Sequence, residues 1–162
     1  MFRRVFACVF AAGSIGMVAM AGPAAQAKPV VSSTTCDVSL LLGFQPGLTF
    51  NNERHQDIRG KGTLANCVGG GVTSGNVVKG VGEGTMGCTG GSGTATFNIG
   101  WNTGEKSRVS VTVDAAGNVN GTVILGKFTG EDVTAALTVT PLNGDCFLNP
   151  VTKASATGSG SL

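Results

Sequence analysis

The chain has 162 residues, 41% of them hydrophobic and 12% charged, and a formal net charge of +2. Arg3 and Arg4 belong to an N-terminal segment that reads as an export signal, and nine Lys and Arg then face nine Asp and Glu in the rest of the chain. A neutral chain whose charges are scattered singly gives no reason to expect a nucleic-acid or anionic-membrane partner, since both need clustered surplus Lys or Arg.

Met1-Phe-Arg-Arg4 forms a short basic start, Val5 to Met20 an apolar run, and Gly22-Pro23 breaks any helix. Ala25-Gln26-Ala27 supplies the small-x-small pattern that signal peptidase cuts after. The run is short beside the roughly 20 residues of a membrane span. Residues 1–27 are therefore expected to be a signal peptide, 28–35 a flexible lead-in, and 36–162 one secreted extracellular domain without stable membrane insertion. Of the five cysteines, Cys8 leaves with the signal. Cys36, Cys67, Cys88 and Cys146 remain, an even set in an oxidising compartment, and so predict two disulfides. No pair has Cys-x-x-Cys spacing, and no metal site or cofactor is expected. Of 27 glycines only Gly13, Gly16 and Gly22 lie in the signal. With abundant Thr, Val and Ala, this composition disfavours helix and suits short strands joined by tight turns.

Cys36-Asp-Val-Ser-Leu-Leu-Leu42 reads as the first strand, with Cys36, Val38, Leu40 and Leu42 on one face. Gly43-Phe-Gln-Pro-Gly47 reads as a turn. Asn51-Asn-Glu-Arg-His-Gln-Asp57 is the most polar stretch, without apolar periodicity, and is expected to be an exposed loop. Ile58 to Cys67 is the second strand. Run antiparallel to the first, it returns Cys67 beside Cys36, and Cα atoms of bridged cysteines must lie roughly 4.4–6.8 Å apart. Cys36–Cys67 is thus the preferred bond and leaves Cys88–Cys146. Asn76 to Cys88 is a strand with Gly80, Gly82 and Gly84 in alternation, which leaves a strip of one face bare of Cβ atoms. Packing of Trp101 or a Phe against that strip is the favoured reading, and a ligand lying there is the alternative.

After a Gly-rich turn over 89–93 comes the clearest stretch. Thr94-Ala-Thr-Phe-Asn-Ile-Gly-Trp101 sets Ala95, Phe97, Ile99 and Trp101 on one side, and Val109, Val111 and Val113 share a face of the next strand. Asp114-Ala-Ala-Gly-Asn118 then turns into Val119 to Leu125. Strict alternation and Gly/Asn turns predict a three-strand antiparallel meander. Asp132 to Thr140 is a further strand, Asn143-Gly144 resembles a hairpin turn with Cys146-Phe-Leu148 after it, and 152–162 is a terminal strand or tail. The whole is expected to be all-β, an antiparallel β-sandwich or small β-barrel of about eight strands.

Catalytic material is sparse. His55 is the single histidine and sits in the polar stretch, so a solvated surface role is expected. Tyr is absent. The acidic residues fall mostly at turns, no spaced carboxylate pair stands out for glycoside hydrolysis, and no glycine-rich turn has the ending of a phosphate loop. No enzyme is expected.

The Arg-Arg signal ending in Ala-x-Ala, a first strand opening on Cys36, Gly-Thr-Leu-Ala-Asn-Cys67, Gly-Thr-Met-Gly-Cys88, Trp101 at a strand end and Gly-Asp-Cys146 together resemble small exported β-proteins of Gram-positive actinobacteria. Composition, two disulfides and the Asp-Ala-Ala-Gly-Asn turn are also similar to the antitumour apochromoproteins, immunoglobulin-like carriers of enediyne chromophores. Their disulfides close short local loops, whereas 30 residues separate Cys36 from Cys67, and no ligand residue carries over. Two roles follow as expectations. The first is surface binding of an extracellular protein or envelope component through Asn51, Asn52, Glu53, Arg54, His55 and Asp57. The second is small-molecule carriage by Trp101, Phe97 and the strip of Gly80, Gly82 and Gly84, which would make Trp101 fluorescence the reporter of binding.

Overall fold

A computed structural model of the chain describes residues 33–50 and 53–162. The export-signal reading of residues 1–27 lies outside the described residues, as do 28–32, Asn51 and Asn52. Eight strands follow in order: β1 (Thr35–Leu48), β2 (Arg54–Val68), β3 (Gly75–Gly87), β4 (Gly90–Trp101), β5 (Lys106–Val113), β6 (Asn118–Gly126), β7 (Asp132–Pro141) and β8 (Val151–Ser161). Each strand pairs with the next, β8 pairs antiparallel with β1, and the sheet closes into a barrel. Between a sandwich and a barrel, the decision rests on the small-residue segment after Pro150. It is a full strand, with its Ala154 and Ala156 wholly buried against the interior.

The interior follows from period-two alternation. Val109, Val111, Val119 and Val123 point inward and are almost fully buried, each worth roughly 1.5–3 kcal/mol of burial free energy. The expected meander is β4 to β6, antiparallel throughout, with Ala95 opposite Val111 and Val109 opposite Val123 and a register shift between Arg108 and Val109. Both disulfides are present as expected, Cys36–Cys67 with Cα atoms 4.1 Å apart and Cys88–Cys146 at 6.1 Å. The first depends on one extra residue. The β1–β2 register runs Val38 opposite Leu64 and Asp37 opposite Ala65, then slips so that Thr35 faces Val68. Asn66 takes up the slip with φ at 51°. Leu64 and Cys67 differ in parity, so without this bulge Cys67 would face solvent while Cys36 faces the core.

Four expectations change. Residues 43–47, expected to turn, continue β1, whose pairing with β8 shifts register between Gly43 and Leu48. The expected loop at Arg54, His55 and Asp57 is the start of β2, where they pair with Met86, Thr85 and Glu83 of β3 on either side of Gln56. Alternation is present there, but the inward residue is Gln56, whose polar side chain hides the pattern. It is fully buried because its amide exchanges two hydrogen bonds with Gly47, Nε2 donating to the carbonyl (3.0 Å) and Oε1 accepting from the amide (2.9 Å). Thr34 and Thr35, placed in the lead-in, belong to the barrel: Thr34 exchanges backbone hydrogen bonds with Leu162, and Thr35 pairs with Ser161. Towards the other end, Cys146-Phe-Leu148 forms no strand and lies in a nine-residue connection, 142–150, between β7 and β8.

The bare glycine strip is closed by protein. A Cβ at Gly80 would land on the Phe97 ring, and one at Gly82 or Gly84 on the backbone of β4. Gly80→Ala should therefore cost about 1–3 kcal/mol in urea denaturation by overpacking. In a Phe97→Ala background the same change should cost much less, and a purely additive double-mutant cycle would show that the two do not share that space.

Candidate functional site: an apolar cavity at one barrel end

The two ends of the barrel differ. At one end Trp101 packs edge-on against Phe128, ring centroids 5.4 Å apart, over the bare backbone of Gly75. Its indole N–H donates to Ser107 Oγ (2.8 Å), which donates on to the Lys127 carbonyl (2.6 Å). Val72 and the Cys36–Cys67 bond are buried in the same cluster. All polar atoms of this Trp–Ser pair are satisfied, and the end is shut.

The other end carries the β3–β4 turn at Cys88 and Thr89, the β5–β6 turn at 114–117 and the β7–β8 connection. A cavity of about 340 Å³ opens there, lined by Phe44, Ile58, Met86, Phe97, Val119 and Leu137 among others. Its origin is visible along β4, whose inward residues are large at Trp101, Ile99 and Phe97 and then drop to Ala95 and Gly93. Ala154 and Ala156 of β8 repeat the small end of that series. Side chains fill the shut half and leave the open half unfilled. Phe97 is the floor, with a smaller void of about 90 Å³ behind it.

Asp114 is the one charged residue among those lining this cavity. Its Oδ1 accepts from the amides of Ala116 and Asn118 and its Oδ2 from the Asn118 side chain. Those bonds, led by the Asn118 side chain, hold its carboxyl below the usual range. The β7–β8 connection crosses the rim. Cys146 ties it to Cys88, both of which line the cavity, and Phe147 stacks on Phe50 with centroids 4.7 Å apart. Asp145 organises the connection from within: Oδ1 accepts from the amides of Phe147, Leu148 and Asn149, and Oδ2 from the Asn149 side chain. These bonds, the Asn149 amide first, lower its carboxyl from 3.8 to about 2.

The sequence-based candidates fall in four places. Phe97 lines the cavity, and Gly80 lies beneath its ring. Trp101 sits at the shut end, so it is removed from Phe97's cavity and poorly placed to report on it. Gly82 and Gly84 face β4 rather than the cavity. Glu53, Arg54, His55 and Asp57 are exposed, and His55 Nε2 lies 3.9 Å from Asp57 Oδ1 on the outer wall. The Arg54 guanidinium donates to the Gly47 carbonyl (3.0 Å from Nη2). Met86, Leu137 and the small residues of β8 were not singled out from sequence, although the decrease in size along β4 was there to be read.

Asp145 has a depressed folded-state carboxyl, so its contribution is complete above the unfolded value of 3.8 and disappears as pH falls through about 2. Amide exchange at Phe147, Leu148 and Asn149 should accelerate across that window before the barrel strands lose protection. Asp145→Ala should show the fast exchange at neutral pH, and unchanged protection in that variant would show that other contacts hold the connection.

No family model, curated protein or solved structure matches this chain.

Proposed function

We propose that the protein is a non-enzymatic carrier of a small apolar molecule, held in the open half of the barrel. The observation that carries this reading is the 340 Å³ cavity behind a cross-linked rim. Eight-stranded barrels have interiors just large enough to be filled by side chains or to hold one small ligand, and here one half is filled while the other is not. Binding cavities of this kind are concave, mostly apolar and largely pre-formed. An apolar cavity of about 150 Å³ takes up benzene, so one of 340 Å³ fits roughly 10–15 non-hydrogen atoms. No Lys, Arg or His lines it, and its one carboxylate is engaged by its own turn, which favours an uncharged guest.

A catalytic role has little to draw on. The imidazole of His55 and the carboxylate of Asp57 stand on the outer wall in solvent, away from the cavity. Two disulfides are compatible with an extracellular location. The outward residues of β2 and β5 are His55, Asp57, Arg59, Lys61 and Thr63, then Arg108, Ser110 and Thr112. These do not make the apolar outer band of a membrane-spanning barrel.

A solvatochromic probe should bind and be displaced by uncharged apolar molecules of the stated size, with little response from Trp101 behind Phe97. Val113→Trp, which fills the cavity from β5, should abolish uptake while far-ultraviolet circular dichroism stays unchanged. Failure of every uncharged guest in a broad panel to displace the probe would overturn the reading.

A further inference from the structure

The positive charges are scattered along the sequence, but strand pairing gathers half of the described ones. Arg59 and Lys61 on β2, Lys79 on β3 and Lys153 on β8 all line one shallow groove on the outer wall, together with Leu41, Val78 and Val81. The register explains the clustering. Gly43 of β1 has Arg59 on one side and Lys153 on the other, Leu41 faces Lys61, and Arg59 faces Val81. Glycine at 43 keeps the floor low between two long basic side chains. All four cationic residues are exposed, and none is ion-paired to a described carboxylate. The aliphatic residues between them are also exposed, Val78 by 72%, Val81 by 44% and Leu41 by 41%. The nearest opposing charges are Asp57 and Glu83, which face each other across β2 and β3 at the end of the groove towards the cavity mouth.

We propose that this groove is a docking surface for an anionic lipid bilayer, on which the barrel lies by its β8–β1–β2–β3 wall. Four unpaired cations supply the complementary charge. The three aliphatic side chains supply the apolar contact that a polar polymer would not use, and such surfaces bind by adding apolar burial to attraction for anionic lipid. Single-stranded nucleic acid is the less favoured anion, because its binding sites combine cations with aromatic platforms, and no aromatic residue lines this groove. Docking of this kind is peripheral and reversible, and leaves the cavity mouth free beside the membrane. It stands independently of what the cavity holds.

The test uses the chain from Lys28 onward, which carries the whole barrel, and vesicles of pure phosphatidylcholine or of phosphatidylcholine with about one third phosphatidylglycerol, in co-sedimentation at low and physiological salt. Binding is expected to the mixed vesicles alone and to weaken with salt. Each of Arg59→Gln, Lys61→Gln, Lys79→Gln and Lys153→Gln should lower affinity about fivefold. Val78→Ser with Leu41→Ser should weaken vesicle binding further but leave retention on a sulfated column unchanged, and Asp57→Asn with Glu83→Gln should tighten it. Lys106→Gln with Arg108→Gln, elsewhere on the wall, should change nothing. Equal loss in that control, no binding to the mixed vesicles, or tighter binding to a single-stranded oligonucleotide than to vesicles would overturn the proposal. Val113→Trp should bind vesicles normally, which separates this result from the fate of the carrier reading.

Discussion

The backbone ladder between β1 and β8 is the contact on which the molecule depends. It joins segments more than a hundred residues apart, from Thr35 opposite Ser161 to Gly43 opposite Lys153. Without it the sheet would have two free edges, each a row of unpaired amides and carbonyls open to other chains. With it, every strand has two neighbours and the inward side chains face a common interior. Such a ladder closes late, because its loop-closure entropy precedes any reward. The Cys36–Cys67 bond is well placed to offset this. It fixes β1 to β2 at the end where β1 also meets the last residues of β8.

Within that closed frame the size of the inward residue decides what each level does. The shut half uses Trp101, Ile99 and the valines of β5 and β6, and satisfies its one indole through Ser107. The open half sets alanine and glycine of β4 and β8 among its larger residues, such as Phe44, Ile58 and Met86, and so forgoes part of the dispersion contact a filled core would gain. Its rim is held by other means: a disulfide, an aromatic stack and the fan of amides around Asp145.

Much of this was legible in the sequence, and the failures have physical causes. The meander over β4 to β6 was plain because its alternation is unbroken and its inward residues are apolar. Cys36–Cys67 followed from antiparallel pairing alone, although the Asn66 bulge that makes the parity work leaves no local signal. Residues 54–57 look like a loop in the sequence because Gln56 is buried through its hydrogen bonds to Gly47, so hydropathy marks as solvent what geometry marks as core. Trp101 and Phe97 share a face and so look like one site in the sequence, yet four residues of strand separate them by roughly 13 Å, enough to put one in the plug and the other at the cavity floor. The cationic groove was invisible for a different reason. Residues 59, 61, 79 and 153 are brought together only by register, and charge read along the chain looks dilute.

The pairing of Thr34 with Leu162 sets the two ends of the described chain side by side at the sealed pole of the barrel. A short linker could join them and leave the ladder intact, with new ends cut in the 142–150 connection. Conversely, a fluorescent protein or immobilisation handle fused after Leu162 would hang from the plugged side, so the molecule could be tethered to a sensor chip with its cavity facing the solution.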